Sequence, residues 1–171
     1  HNFEWTVREY AKNAGMVWKI QQRHLEHWEF LSAVFLPNVE GDLALVPKPG
    51  RVLSRTGWSR RPIKDARAHA RAVALGMHDT CARMPILGAW ITRILELTED
   101  IQVDAKVDPF AVRSARALDF GPEAYAVMAT RYSLTYGDLI DLERVILAAT
   151  ELPLVIDHPI LDAVMAIDIG E

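Results

Sequence analysis

The spacing of apolar positions divides the chain into a short mixed N-terminal part and a longer helical one. Val7, Tyr10, Ala11 and Ala14 recur at helical spacing behind Thr6-Val7-Arg8-Glu9, a capping-box pattern, and the run stops at Gly15. Met16 to Ile20 then reads as a strand. Trp28 to Pro37 is dense in aromatic and β-branched residues, and Asp42 to Val46 is a second apolar run across Pro37-Asn38-Val39-Glu40-Gly41, so the two form a β-hairpin candidate. The first run is apolar at both parities, with Phe30, Val34 and Leu36 on one side and Leu31, Ala33 and Phe35 on the other. Such a strand is expected to be buried on both faces.

After Trp58 the period becomes helical. Pro62 fits a first helical position, followed by the stripe Ile63, Ala66, Ala70, Val73, Ala74 and Met77. Pro85 opens the next helix, whose stripe Leu87, Trp90, Ile91, Ile94 and Leu95 marks it as the core of a bundle and which ends near Thr98 to Asp100. Shorter helices are predicted at Pro109 to Leu118, Pro122 to Tyr132, Asp138 to Thr150 and Pro159 to Ile167, each with Pro, Asp or Thr near its start. The fold class is therefore α+β, mainly α, in two parts: residues 1–58 with the strands, and residues 59–171 as a compact helical unit.

With 171 residues, half of them apolar and a quarter charged, the chain can bury a proper core. The net charge of −4 does not advertise a polyanion partner, but its distribution does. From Leu43 to Lys64 the charged residues are Lys48, Arg51, Arg55, Arg60, Arg61 and Lys64, with no Asp or Glu among them. Prolines on both sides of Lys48 hold it on a pre-set extended backbone, and Gly50 lets another backbone, or a phosphate, come close. Arg60, Lys64, Arg67 and Arg71 follow at steps of four, three and four, which lines cations along one helix face. Such a block is the electrostatic footprint expected where a polyanion is held. Beyond Arg144 only acids follow, Glu151, Asp157, Asp162, Asp168 and Glu171, so the two ends are expected to face different partners.

The single cysteine, Cys81, rules out an internal disulfide and a Cys-based zinc site and reads as a small core residue. No apolar run approaches the roughly 18 to 20 residues that span a bilayer, and no signal peptide is seen. The first residue is His1 rather than Met, as in a piece of something longer. His24 and His27 with Glu29, or His69 with His78 and Asp79, lack further ligands at a recognisable spacing. The His78-Asp79 dipeptide is similar to metal-dependent phosphohydrolases, whose other His and Asp motifs are missing, so such a hydrolase is the weakest reading.

The succession AKNAGMVWKI, EFLSAVFLP and PKPGRVLSRTGW resembles the end of the palm of a viral RNA-dependent RNA polymerase of nodavirus-like positive-strand RNA viruses. The resemblance is most specific over Tyr10 to Trp58, with RYSLT at Arg131 to Thr135 beyond it. It implies a helix-Gly-strand element (motif D), a hairpin gripping the product strand (motif E) and a helical thumb. For motif E it implies RNA phosphate contacts by Lys48, Arg51 and Arg55, with Arg60 and Arg61 behind them, and Lys64, Arg67 and Arg71 continuing the basic face. Trp28, Phe30, Phe35 and Trp58 are candidates to stack a base or to pack the hairpin.

For motif D the resemblance implies a cation that protonates the departing pyrophosphate, with Lys19, Arg23 and His24 as positional candidates. Arginine is a poor proton donor, since a guanidinium pKa exceeds about 12. Nucleotidyl transfer in the family uses Mg2+ or Mn2+ held by aspartates upstream of motif D. Tyr136-Gly137-Asp138-Leu139 lacks the second Asp of the family's Gly-Asp-Asp, and Asp138 reads as a helix cap. No metal ligand set is therefore assigned here, and this stretch alone is expected to be inactive. The implied partners are the RNA template-product duplex, nucleoside triphosphates through the palm core, and the rest of the polymerase chain. The implied location is the host cytoplasm, at a membrane-associated replication complex anchored through other parts of the parent protein. With the rest of the palm missing, some apolar surface of the N-terminal part is expected to be exposed. The alternative from another class is a free-standing helical interaction module whose basic face meets an acidic protein or a membrane surface.

Overall fold

The computed structural model describes residues 3–17, 23–59, 62–102 and 117–170. Helix α1 (Phe3–Asn13) is followed by a single 3-10 turn (Leu25–His27), strands β1 (Glu29–Phe30), β2 (Ala33–Pro37) and β3 (Leu43–Pro47), and a short helix α2 (Pro49–Leu53). Then come α3 (Ala66–Cys81), α4 (Leu87–Leu97), α5 (Pro122–Tyr132), α6 (Tyr136–Ala148) and α7 (Pro159–Ile169). The α+β, mainly α class expected from the sequence is the class observed. Among the described residues no helix is long and apolar enough to cross a membrane.

The three strands form one antiparallel sheet in the order β1-β2-β3, with Val34 opposite Val46 and Phe35 opposite Leu45. The β2-β3 turn forms because the Asn38 side chain accepts hydrogen bonds from the Glu40 and Asp42 amides, at 3.0 and 2.9 Å, as Asx turns do. The expected first strand is cut in two. Leu31 and Ser32 both take a left-handed backbone, φ 49° and 68°, and turn β1 back onto β2 in a two-residue loop. Its burial is also one-sided: in β2 Val34 and Leu36 are buried under the helices while Ala33 and Phe35 are half-buried, and Phe30 of β1, Leu31 of the turn and Leu43 and Leu45 of β3 are exposed. The expectation of burial on both faces is thereby corrected.

Sheet and helices share one core. Val34, Leu36 and Val46 cluster with Ile91 and Ile94 of α4, Met128 of α5, Leu139, Leu142 and Ile146 of α6 and Val164 of α7. The two parts expected at residues 1–58 and 59–171 are thus joined through apolar packing. The central position of α4 follows from the stripe read in the sequence, since Leu87, Trp90, Ile91 and Ile94 are all buried. Cys81 is buried as well, and burial pushes its thiol up to about 12.

Chain ends of the helices follow local chemistry. Helix α1 begins at Phe3, ahead of Thr6, and is followed by Gly15 at φ 72°. Met16 and Val17 are not in a strand; Trp18 to Ile20 lie outside the described residues, as do Pro109 to Arg116 of the helix expected at Pro109 to Leu118, whose Ala117 and Leu118 are non-helical. Helix α3 starts at Ala66 rather than Pro62, because the Asp65 carboxylate accepts the Arg67 and Ala68 amides and caps it there. Ile63 is accordingly exposed and off the core stripe. In α6 the Thr135 and Asp138 side chains form a reciprocal capping box, the cap role expected for Asp138.

Helix α2 was not anticipated, and its packing depends on Gly50. A Cβ at that position would lie 2.7 Å from the Val164 carbonyl oxygen and 2.8 Å from the Met165 Cα, both backbone atoms of α7. The freedom read into Gly50 is used by another backbone. Gly50→Ala is expected to lower unfolding stability by about 1–3 kcal/mol through overpacking. Gly57→Ala, with nothing within 4 Å of the new Cβ, is expected to change it little. Denaturant melts of the two variants side by side check this, and equal losses would contradict it.

Candidate nucleic-acid interface

Two layers of residues build the site, a buried ionic cluster and the groove above it. The cluster begins with Lys48, whose residue is only 2% exposed and whose ammonium lies 2.8 Å from Glu29 of β1. Arg131, in the last turn of α5, also bonds Glu29 and stands 3.5 Å from Asp168 of α7. Asp168 is fully buried and accepts hydrogen bonds from the Tyr132 hydroxyl at 2.9 Å and the Gly50 amide at 2.8 Å. Among the described residues two cations meet two carboxylates, so their charges match. Buried charges are tolerated only when matched in this way.

The protonation behaviour follows from burial. Desolvation pushes the Asp168 carboxyl up, although Tyr132, the Gly50 amide, Arg131 and Lys48 each work to lower it. Burial and the Asp168 charge likewise raise the Tyr132 hydroxyl. For Arg131 burial works against the charge, but its bond to Glu29 and the neighbouring Tyr132 more than offset this, so the guanidinium stays protonated.

Above the cluster, α2 and the turns after it bring the rest of the basic segment around. Backbone hydrogen bonds Ser54 to Gly50, Arg55 to Val52 and Trp58 to Arg55 keep the chain coiled. Arg51 and Arg55, four residues apart, therefore stand one turn apart. Arg51 is oriented by a 2.8 Å hydrogen bond to the Ser32 hydroxyl. Opposite them, His69, Val73 and Met77 form a row at steps of four on α3. Between the two walls lies a cavity of about 410 Å³ with Val52 and Pro47 in its lining and Trp58, 83% exposed, at its side. Among the described residues no carboxylate lines it.

The residues expected to bind RNA are thus divided. Lys48, Arg51 and Arg55 all line the groove. Lys48 is not presented on the surface, as its proline frame led one to expect, because its charge is engaged by Glu29 below. Lys64 is exposed but precedes α3, so it does not share a helix face with the arginines after it. Arg67 and Arg71 reach instead to the end of α4. Arg67 bonds the Leu97 carbonyl at 2.9 Å and Asp100 at 2.7 Å, and Arg71 bonds the Leu95 and Thr98 carbonyls at 3.1 and 2.8 Å. They satisfy the carbonyls that a helix leaves open at its C-terminus. Arg60 and Arg61 lie outside the described residues.

Of the motif D candidates, Lys19 lies outside the described residues. Arg23 and His24 are exposed just before the 3-10 turn, and neither lines the groove. The Arg23 carbonyl accepts the Trp28 indole N–H at 2.7 Å, and the Trp28 ring stands edge-on to Phe35. Those two aromatics pack the hairpin. His78 and Asp79 are 3.4 Å apart without a third ligand, and among the described residues no three His, Cys, Asp or Glu side chains could hold a metal ion together.

Sequence reasoning missed the cluster's acids and Arg131 as a set. The available signal was an acid inside each of two apolar runs, Glu29 in WEFLSAVF and Asp168 in VMAIDI. Asp168, one of the acids beyond Arg144 expected to face a partner, faces the interior. A further, half-buried acid, Glu143 of α6, accepts the Ile86 amide at 2.8 Å and the Tyr125 hydroxyl at 3.1 Å. Burial raises its pKa against those bonds.

Lys48→Met leaves one carboxylate of the cluster unmatched and is expected to cost about 3 kcal/mol or more of stability. Adding Glu29→Gln restores neutrality, so the double variant is expected to be more stable than Lys48→Met alone in a double-mutant cycle. A raised carboxyl pKa in the folded state contributes stability at low pH that is lost as pH rises through that pKa. Glu143→Gln keeps an acceptor for both donors and removes the charge. Its melting temperature relative to the parent is therefore expected to be higher at pH 7 than at pH 4, and a difference independent of pH would contradict the buried-charge account.

Comparison of the chain with protein-family models, with curated proteins and with solved structures finds no match, so the groove is read from its own residues.

Proposed function

We infer that this chain is the closing end of a viral RNA-dependent RNA polymerase, a motif D and E palm segment followed by a thumb, and that its task is to hold the template-product RNA. The observation that carries the reading is the groove, free of acids among the described residues, in which Arg51 and Arg55 stand one turn apart beside an exposed Trp58. Two guanidinium groups on a stiff turn suit phosphate oxygens, which they can meet bidentately. Such contacts are indifferent to base sequence, which a strand that must slide requires.

In this reading nucleotidyl transfer belongs to aspartates and Mg2+ or Mn2+ in the palm core of the parent chain, which also takes the nucleoside triphosphates. His24, Lys19 or Arg23 serves as the motif D acid. The buried cluster has a supporting part: it fastens β1 and α2 to α5 and α7, so that the grip moves with the thumb. The parent enzyme works in the host cytoplasm, at membranes to which other segments attach it.

The chain is expected to bind an RNA duplex with an affinity that falls steeply with salt. Arg51→Ala with Arg55→Ala is expected to flatten the slope of log K against log salt by about two, one for each lost phosphate contact. Fluorescence anisotropy over a potassium chloride series reads this directly. Binding to an acidic protein or an anionic vesicle with no measurable affinity for RNA would favour the interaction module instead.

A further inference from the structure

The groove has more structure than a phosphate grip requires. A row of guanidinium groups on an open surface would suffice for gripping a backbone, yet here the cations stand on one wall of a concavity whose opposite wall, His69, Val73 and Met77, is largely apolar. Its volume of about 410 Å³ is at the lower end of the roughly 300–1,000 Å³ usual for small-molecule sites, room for one nucleotide rather than a run of them. The lining is divided by chemistry. Arg51, held by Ser32, and Arg55, without a carboxylate partner among the described residues, supply positive charge; Trp58 supplies a flat ring accessible to solvent. Lys48 adds little net field, since Glu29 matches it 2.8 Å away.

We propose that this groove is a single-nucleotide site, taking one phosphate between Arg51 and Arg55 and one base between Trp58 and the Val73-Met77 wall. The inference rests on the RNA-holding function and deepens it: a polymerase thumb with this groove captures an individual nucleotide in addition to tracking a backbone. A flat base gains stacking on Trp58 and apolar contact with α3, both tolerant of base identity. The phosphate supplies the charge that an acid-free wall attracts. The same chemistry is offered by a free nucleoside monophosphate and by an unpaired nucleotide at the end of an RNA strand.

Titration calorimetry of the whole chain with adenosine 5′-monophosphate, inorganic phosphate and adenosine separates the parts. The monophosphate is expected to bind at one site at least tenfold more tightly than phosphate or adenosine, and Arg55→Ala and Trp58→Ala are each expected to weaken it about tenfold. Both side chains are exposed, and unchanged circular dichroism confirms the fold of the variants. An RNA duplex with a one-nucleotide overhang that binds more tightly than a blunt one, and is displaced by the monophosphate, assigns the site to strand ends. Monophosphate binding with no overhang advantage assigns it to free nucleotides, and either result supports the site. Adenosine monophosphate binding no better than inorganic phosphate overturns the proposal. If salt-sensitive duplex binding persists in that case, the RNA-holding function stands; if no RNA binds either, both fall.

Discussion

Three buried charges and one half-buried one hold the strands of this chain to its last helices. Glu29, Lys48, Arg131 and Asp168 come from β1, the residue before α2, α5 and α7, and none of these elements follows directly on another. Removing an ion from water costs several kcal/mol, so each of the four is tolerable only while the others are in place. That mutual dependence makes the cluster a test of register. A hairpin shifted by one residue would turn Glu29 to the other face and leave two cations buried without it. Apolar packing of Val34, Leu36 and Val46 brings the sheet to the helices; the charges fix where on them it sits.

The groove inherits its shape from this cluster. Asp168 accepts the Gly50 amide in the first turn of α2, and Gly50 lets that turn press on the backbone of α7. Helix α2 has only five residues, too few to be stable alone. Its position, and with it the direction of Arg51 and Arg55, is set from beneath. Lys48 joins the layers, since its backbone opens α2 and its side chain lies in both the cluster and the groove lining. A cation that looked like a ligand contact thus acts as the fastening for the two that remain.

Local chemistry made much of the fold legible. Pro122, Pro159 and the Thr135-Asp138 pair mark helix starts because each supplies or spares a backbone hydrogen bond there, and the stripe of α4 repeats at a spacing only a helix can bury on one face. The turn at Leu31-Ser32 was not legible, since neither residue favours a left-handed backbone and only the pairing of β1 with β2 holds it there. Arg67 and Arg71 were misread for a similar reason. Their spacing places them on one side of α3, but what that side meets, the open carbonyls at the end of α4, is a tertiary fact. For the site, Arg51 and Arg55 emerged from the charge run, whereas Val73 and Met77 read as plain core residues. The difference between a core stripe and a groove wall depends on whether the facing element closes over it.

The central claim is that RNA lies in the groove between α2 and α3, and a residue-resolved NMR titration of the isotope-labelled chain with a short RNA duplex tests it most directly. The account predicts shifts concentrated at Pro47 to Trp58, read there through the residues that carry amides, and at His69 to Met77, with the end of α4 near Arg67 and Arg71 left quiet. Shifts centred on the exposed sheet residues Phe30, Leu43 and Leu45, or none at all at a concentration where the duplex is bound, would contradict it.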